Sequence, residues 1–171
     1  MRAVRFFAAL GVALLVHLVG ARLWAGFPGY VDLFLVVVVL HALDGESLPA
    51  MFAGLAAGLL HDALSGGLYG LYGFADTLVG YGTARVAQRL VIQRSTGVFG
   101  VAAFAAAVQQ AVLVLLAFML HGAPALPPPA AVAIRAALCG AVAMASYLLM
   151  GHWRSGVETR RRGRMKRLRL E

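Results

Sequence analysis

The sequence predicts an all-α integral membrane protein of six transmembrane helices, and three observations lead there. The 171 residues are 61% hydrophobic with a mean hydropathy of +0.83. That is more apolar surface than a soluble domain of this length can hide, since globular usage is roughly 45–50% apolar. The apolar residues fall into runs near the roughly 20 residues that a spanning helix needs, parted by short breaks of glycine, proline and charge. The basic residues cluster between those runs instead of spreading over a face.

The first span is expected over 6–24, ending before Gly26-Phe27-Pro28-Gly29. Arg2 and Arg5 precede it, as in a signal peptide, but no small-residue cleavage site leads into a soluble domain. The expectation is therefore a retained helix. The second span, 30–43, is broken by Asp44-Gly45-Glu46-Ser47. It is short enough to be strongly tilted or re-entrant. The third, 48–64, ends at Ser65-Gly66-Gly67; the fourth, 68–90, ends among Arg85, Arg89 and Arg94. The fifth, 97–120, stops at His121-Gly122-Ala123-Pro124 and Pro127-Pro128-Pro129, and the sixth covers 130–152. A bundle over 1–153 is then followed by a basic tail over 154–171.

Charge sets the count at six. Basic residues favour the cytoplasmic ends of spans. Six spans put Arg2 and Arg5, Arg85, Arg89 and Arg94, and the eight basic residues from Arg154 to Arg169 on one side, thirteen of fifteen. Five spans, counted from the N-terminus, would place the Arg89 loop and the tail outside. Both termini are thus expected in the cytoplasm, with the tail along the anionic inner leaflet. The net charge of +8 does not imply nucleic acid, because these bases separate apolar segments and form no soluble basic face. No internal repeat is visible to support an inverted-repeat transporter.

The densest polar and small-residue pattern runs from Ala50 to Ala84. Ala50, Gly54, Gly58 and Asp62 recur every four residues, along one face of the third span. Gly54 and Gly58 form a GxxxG pair that lets another backbone approach closely. Gly66, Gly70, Gly73, Gly80 and Ala84 supply a second stripe, with Asp76 beside it. A tightly packed hairpin of the third and fourth spans is the economical reading. Asp76 lies well inside its span and should face the bundle interior, protonated or paired, since a carboxylate at a helix centre costs roughly 2.5–3.5 kcal/mol on insertion scales; it reads equally as an ion or ligand site and as a structural carboxylate. Asp62 is nearer a helix end, suited to accepting hydrogen bonds from the following turn or helix. Asp32, beside Pro28, suits a helix N-terminus, and Gln109-Gln110 suits hydrogen bonding across the bundle.

Chemistry is harder to find. His61-Asp62 places neighbouring side chains about 100° apart, and no HxxxH or HExxH spacing exists, so neither a metal nor a cofactor is expected. Ser65 lacks a GxSxG frame, and Cys139, the single cysteine, sits alone in an apolar run.

Residues 32–37, Asp-Leu-Phe-Leu-Val-Val after a proline-containing loop, and residues 54–66, Gly-Leu-Ala-Ala-Gly-Leu-Leu-His-Asp-Ala-Leu-Ser-Gly, with Gly70 following, resemble the MreD family of rod-shape-determining proteins. Gly54, Gly58, Asp62, Ser65, Gly66 and Gly70 match its GxxxGLxxDxxSG core. The resemblance implies a fold similar to the six-helix substrate-binding components of energy-coupling-factor vitamin transporters. It also implies a scaffold of the elongation machinery in the bacterial cytoplasmic membrane. Its implied partner is MreC and, through it, the RodA-type glycosyltransferase, the elongation-specific penicillin-binding protein and the MreB filament. The matching residues would shape a partner-binding hairpin and catalyse nothing. A second reading makes the chain a vitamin-binding transporter subunit, with Asp76, Tyr69, Tyr72 and Tyr81 lining a pocket. Against it, polar groups to orient such a ligand are few. A membrane phosphatase or protease lacks clustered catalytic groups.

Overall fold

The computed structural model describes residues 2–66, 68–89, 95–121 and 127–167. Gly67, Arg94 and most of the break expected at 121–129 lie outside them. All regular structure among the described residues is helical: α1 (Arg2–Leu23), the single turn α2 (Phe27–Tyr30), α3 (Leu33–Ala42), α4 (Ser47–Ser65), α5 (Leu71–Arg89), α6 (Ser95–His121) and α7 (Pro129–Arg167). Four stretches are long and apolar enough to cross a membrane: α1, α4, α6 up to Leu120, and α7 from Pro129 to Gly151. The chain is a multi-pass membrane protein.

Of the remaining three helices, α2 is a single turn, and α3 and α5 fall short of that standard for different reasons. Helix α3 has only 10 residues, about 15 Å of rise. Helix α5 has 19, but Asp76, Arg85, Arg89 and its glycines lower its hydropathy. The run expected over 30–43 becomes helical only at Leu33, as α3, and the break expected at 26–29 instead holds the helical turn α2. The cause is local: Asp32 adopts an extended N-cap conformation and its Oδ1 accepts from the Leu35 amide at 3.0 Å. The fourth run begins three residues later than expected, at Leu71, because Gly70 takes a left-handed φ of +99°. The last helix passes the boundary expected at 153 and continues to Arg167. Arginine, lysine and glutamate are good helix formers, and no proline interrupts 151–167, so a helix already nucleated propagates.

The Val-rich α3 sits at the centre, touching α1, α4, α5, α6 and α7. β-Branched side chains lower helix propensity slightly, but a strand here would leave backbone groups without partners in hydrocarbon. Phe34, Leu35, Val38, Val39 and Ala42 are all essentially sealed, which is why the segment is apolar all round. One face packs with α5, α6 and α7 through Val79, Val98, Ala102, Cys139 and Ala143. The other packs with α1 and α4 through Phe6, Leu10, Ala53 and Ala57.

Polar contacts mark the two ends of the bundle. At one, Arg2 pairs with Glu46, and Gln88 Nε2 donates to the Gly45 carbonyl at 2.6 Å and to Ser47 Oγ at 2.9 Å. That end gathers the starts of α1 and α4 with the end of α5, and it carries Arg2, Arg5, Arg85 and Arg89. The opposite half holds the α4–α5 turn and the N-terminus of α3.

Candidate functional site

Helices α4 and α5 form the closest pair in the bundle, and glycine is the reason. A Cβ on Gly54 would collide with the backbone carbonyl of Asp76, one on Gly58 with that of Tyr72, and one on Gly80 with that of Ala50. These atoms are backbone, so no rotamer change relieves them. The small-residue stripe is therefore used up inside the chain, where it brings two helix axes together.

The turn is organised by Asp62, which is 1% exposed. Its Oδ2 accepts from the amides of Gly70 and Gly73, both at 3.0 Å, and its Oδ1 from that of Tyr72 at 3.1 Å. Three donors that the first turn of α5 leaves unpaired are thus met by one carboxylate at the positive end of the helix dipole. Ser65 Oγ donates to the Asp62 carbonyl at 3.1 Å. Gly66 ends α4 with a left-handed φ of +64°. Removing the carboxylate in Asp62→Ala is expected to lower stability by about 3 kcal/mol, since hydrogen bonds to charged groups contribute roughly 1.5–3 kcal/mol each and relaxation recovers part. Asp62→Asn, with one acceptor oxygen in place of two, should fall between. Helical ellipticity followed through a denaturant titration in detergent reads the order; an alanine variant as stable as wild type would remove Asp62 from the turn.

Asp76 connects this hairpin to a second feature. Its backbone carbonyl lies against Gly54, while its side chain turns inward, 0% exposed, where Oδ1 accepts from Gln109 Nε2 at 2.7 Å. The same Nε2 donates to Asp32 Oδ2 at 2.8 Å, and Arg135 Nη2 donates to that oxygen at 2.9 Å. Arg135 Nη2 also lies 3.4 Å from Gln109 Oε1. His61 points Nδ1 at Asp32 Oδ2 from 3.5 Å, and its ring stacks on Tyr72 with centroids 3.9 Å apart. Phe34 and His17 complete the aromatic wall. The Asp32 amide in turn donates to Cys139 Sγ at 3.4 Å.

Five helices, α3 to α7, thereby contribute to one buried polar cluster. A single guanidinium faces two carboxyl groups, bridged by a glutamine that can donate to both. Such a cluster is expensive to bury unless every member is paired, and it then fixes one arrangement of helices. Asp76 Oδ2, His17 Nδ1 and Arg135 Nε have no hydrogen-bond partner, which leaves polar capacity inside the bundle.

The residues expected to act together separate into two roles. Gly54, Gly58, Asp62, Ser65, Gly66 and Gly70 build the hairpin, whereas Asp76 belongs to the cluster as well. Arg135 is one of the two basic residues outside the three cytoplasmic groups, and its signal in the sequence is an arginine within an apolar span, which needs a buried partner. The tyrosines do not converge on a pocket around Asp76. Tyr69 is 77% exposed, Tyr81 lies under the Arg85 guanidinium, and only Tyr72 reaches the buried cluster. Among the described residues no group of three His, Cys, Asp or Glu side chains is placed to hold a metal ion.

Residues 3–125 match the family model described as rod shape-determining protein MreD. The chain belongs to the MreD family. The matched region takes in the whole Gly54–Gly70 hairpin, Asp32, Asp76 and Gln109, and stops short of Arg135. No curated protein and no solved structure shows a significant match to the chain. Membership gives this MreD-family protein a part in rod-shape determination, and with it in cell-shape and cell-wall processes. The glycines of its motif have a physical task here, and so does its aspartate: together they make and cap the α4–α5 hairpin.

Proposed function

We propose that the chain is a non-catalytic scaffold of the elongation machinery in the bacterial cytoplasmic membrane. It holds the single-pass protein MreC and, through it, bears on the penicillin-binding protein, the RodA-type glycosyltransferase and the MreB filament, and so on peptidoglycan synthesis. On this reading α3, with α2, and α5 also cross the membrane, giving six spans with both termini in the cytoplasm and a fold akin to the vitamin-transporter components. The observation that carries the proposal is the family match over residues 3–125, joined to a motif engaged in helix packing. The buried polar groups bind one another across helices, an arrangement suited to a rigid body and not to turnover.

Because Gly54 and Gly58 are enclosed, the partner meets the outer face of the hairpin. Leu48, Phe52, Leu55 and Leu59 lie exposed along α4 at spacings of four, three and four, a stripe that a single transmembrane helix can cover. Gentle purification from the native membrane, followed by mass spectrometry, should recover MreC with cell-wall synthesis proteins. Phe52→Ala with Leu59→Ala should reduce MreC recovery about tenfold without unfolding the chain, on the order of the loss when two anchoring side chains are truncated. Recovery of an ATPase module or a vitamin in place of MreC would overturn the scaffold reading. Unchanged MreC recovery by the double variant would remove α4 as its seat.

A further inference from the structure

The far side of the bundle carries a groove of about 500 Å³ between α1 and α7, floored by α3. Its walls are two helical stripes. Helix α1 contributes Phe6, Ala9, Val12, Ala13 and Val16; helix α7 contributes Val142, Ser146 and Met150 at intervals of four. Leu33, Val36, Val37 and Leu40 of α3 form the floor. The alanines keep the α1 wall low, which is what opens the space.

The two ends of this groove differ. At the basic end of the bundle its mouth is formed by Arg2, Arg5, His41 and Asp44. Arg2 is taken by Glu46, while Arg5 has no ion-pair partner among the described residues. At the other end α2 closes the groove by touching both α1 and α7. Phe27 there lies over Gly20, and Trp24 stacks on Tyr30 with centroids 5.2 Å apart.

This geometry selects the occupant. A transmembrane helix crosses the whole bilayer and needs a groove open along its full length. Here α1 lines the space only from Arg2 to Val16, fifteen residues whose ends lie about 21 Å apart along the axis, against roughly 15 Å for half the hydrocarbon core. A lipid of one leaflet needs a single open end, an apolar slot of that length and a headgroup contact at the surface. The adjoining cleft between α1 and α4 lacks the last of these, because its one arginine, Arg2, is paired with Glu46, and Arg5 does not line it.

We propose that the α1–α3–α7 groove is a binding site for an anionic phospholipid of the leaflet on the basic side, with an acyl chain in the slot and the phosphate at Arg5. Basic residues between helices at a membrane surface bind anionic headgroups in this way, each contributing about 1 kcal/mol. The site is independent of MreC, and it is tested on the full chain alone.

The protein is reconstituted in phosphatidylcholine nanodiscs containing phosphatidylglycerol at about one lipid in five, extracted gently, and weighed with its retained lipid by native mass spectrometry. Wild type should keep phosphatidylglycerol well above its share. Arg5→Gln should keep about fivefold less, the equivalent of about 1 kcal/mol. Ala9→Phe, which fills the slot, should lose retention; Val12→Phe does the same from a position already 60% exposed and so insensitive to folding. Arg85→Gln removes one charge from the same end outside the groove and should change nothing. Equal losses in Arg5→Gln and Arg85→Gln would reduce the effect to general surface charge and overturn the site. So would unchanged lipid retention in both groove-filling variants.

Discussion

Replacing Gly58 by alanine will destabilise the chain by about 3 kcal/mol, although alanine is intrinsically the better helix former by about 1 kcal/mol. The sign is decided by what the added methyl meets. At Gly58 it meets the Tyr72 carbonyl and the Gly73 Cα, and at Gly54 the Asp76 carbonyl, so the hairpin must open or its backbone must bend. Opening α4 from α5 would also draw the Tyr72 and Gly73 amides from Asp62 and shift Asp76 from Gln109. The effects of Gly54→Ala and Gly58→Ala are therefore expected to be coupled and not additive. Gly82 lies on the same helix as Gly80 with nothing within 4 Å of its would-be Cβ; Gly82→Ala should be neutral or slightly stabilising. Thermal or denaturant unfolding in detergent, read by helical ellipticity, compares the three. A Gly58→Ala protein as stable as Gly82→Ala would show that the helices are not in backbone contact.

The hairpin was legible in the sequence because its causes are local. A four-residue spacing of glycine, an aspartate at the end of the run and a Ser-Gly turn lie within some twenty residues, and each states its own geometry. The N-cap at Asp32 is similarly local, although hydropathy alone does not show that it delays the start of the second run to Leu33. The polar cluster is different in kind. Arg135 and Asp32 are 103 positions apart, and Gln109 and Asp32 77. No periodicity joins residues on separate helices, so the sequence supplied only the unpaired elements: an arginine inside an apolar span and three aspartates near helix ends or interiors. Assigning Asp62 to its turn leaves Asp32 and Asp76 as partners, but choosing between them required the packing. The length of α7 is not legible in hydropathy, because helix propensity continues well past the last apolar turn.

Arg135→Met should be the most damaging substitution in the cluster, at about 3–5 kcal/mol, the range for removing one partner of a buried ion pair. It leaves Asp32, 1% exposed, facing Gln109 and His61 without its guanidinium. The penalty belongs to the stranded carboxylate and not to lost attraction alone, so it should be reversible from the other side. Asp32→Asn combined with Arg135→Met removes both charges, keeps an acceptor for the Leu35 amide, and is expected to recover most of the stability. Asp76→Asn provides the contrast. Asp76 uses only Oδ1, toward Gln109, while Oδ2 has no partner; an amide preserves the first interaction, and a loss of no more than about 1 kcal/mol is expected. The four proteins are compared by denaturant titration in detergent and by recovery of MreC, the partner proposed above, from the membrane. If Arg135→Met alone proves harmless, water reaches Asp32 and the cluster is an open polar cavity. If the double variant fails as badly as the single one, the cluster contributes specific helix placement that apolar packing cannot replace. That second outcome would make the central position of α3 depend on its polar end, since Asp32 is where α3 meets α6 and α7 through side-chain hydrogen bonds. MreC recovery that falls with stability across all four proteins would then identify a rigid bundle as what the partner recognises.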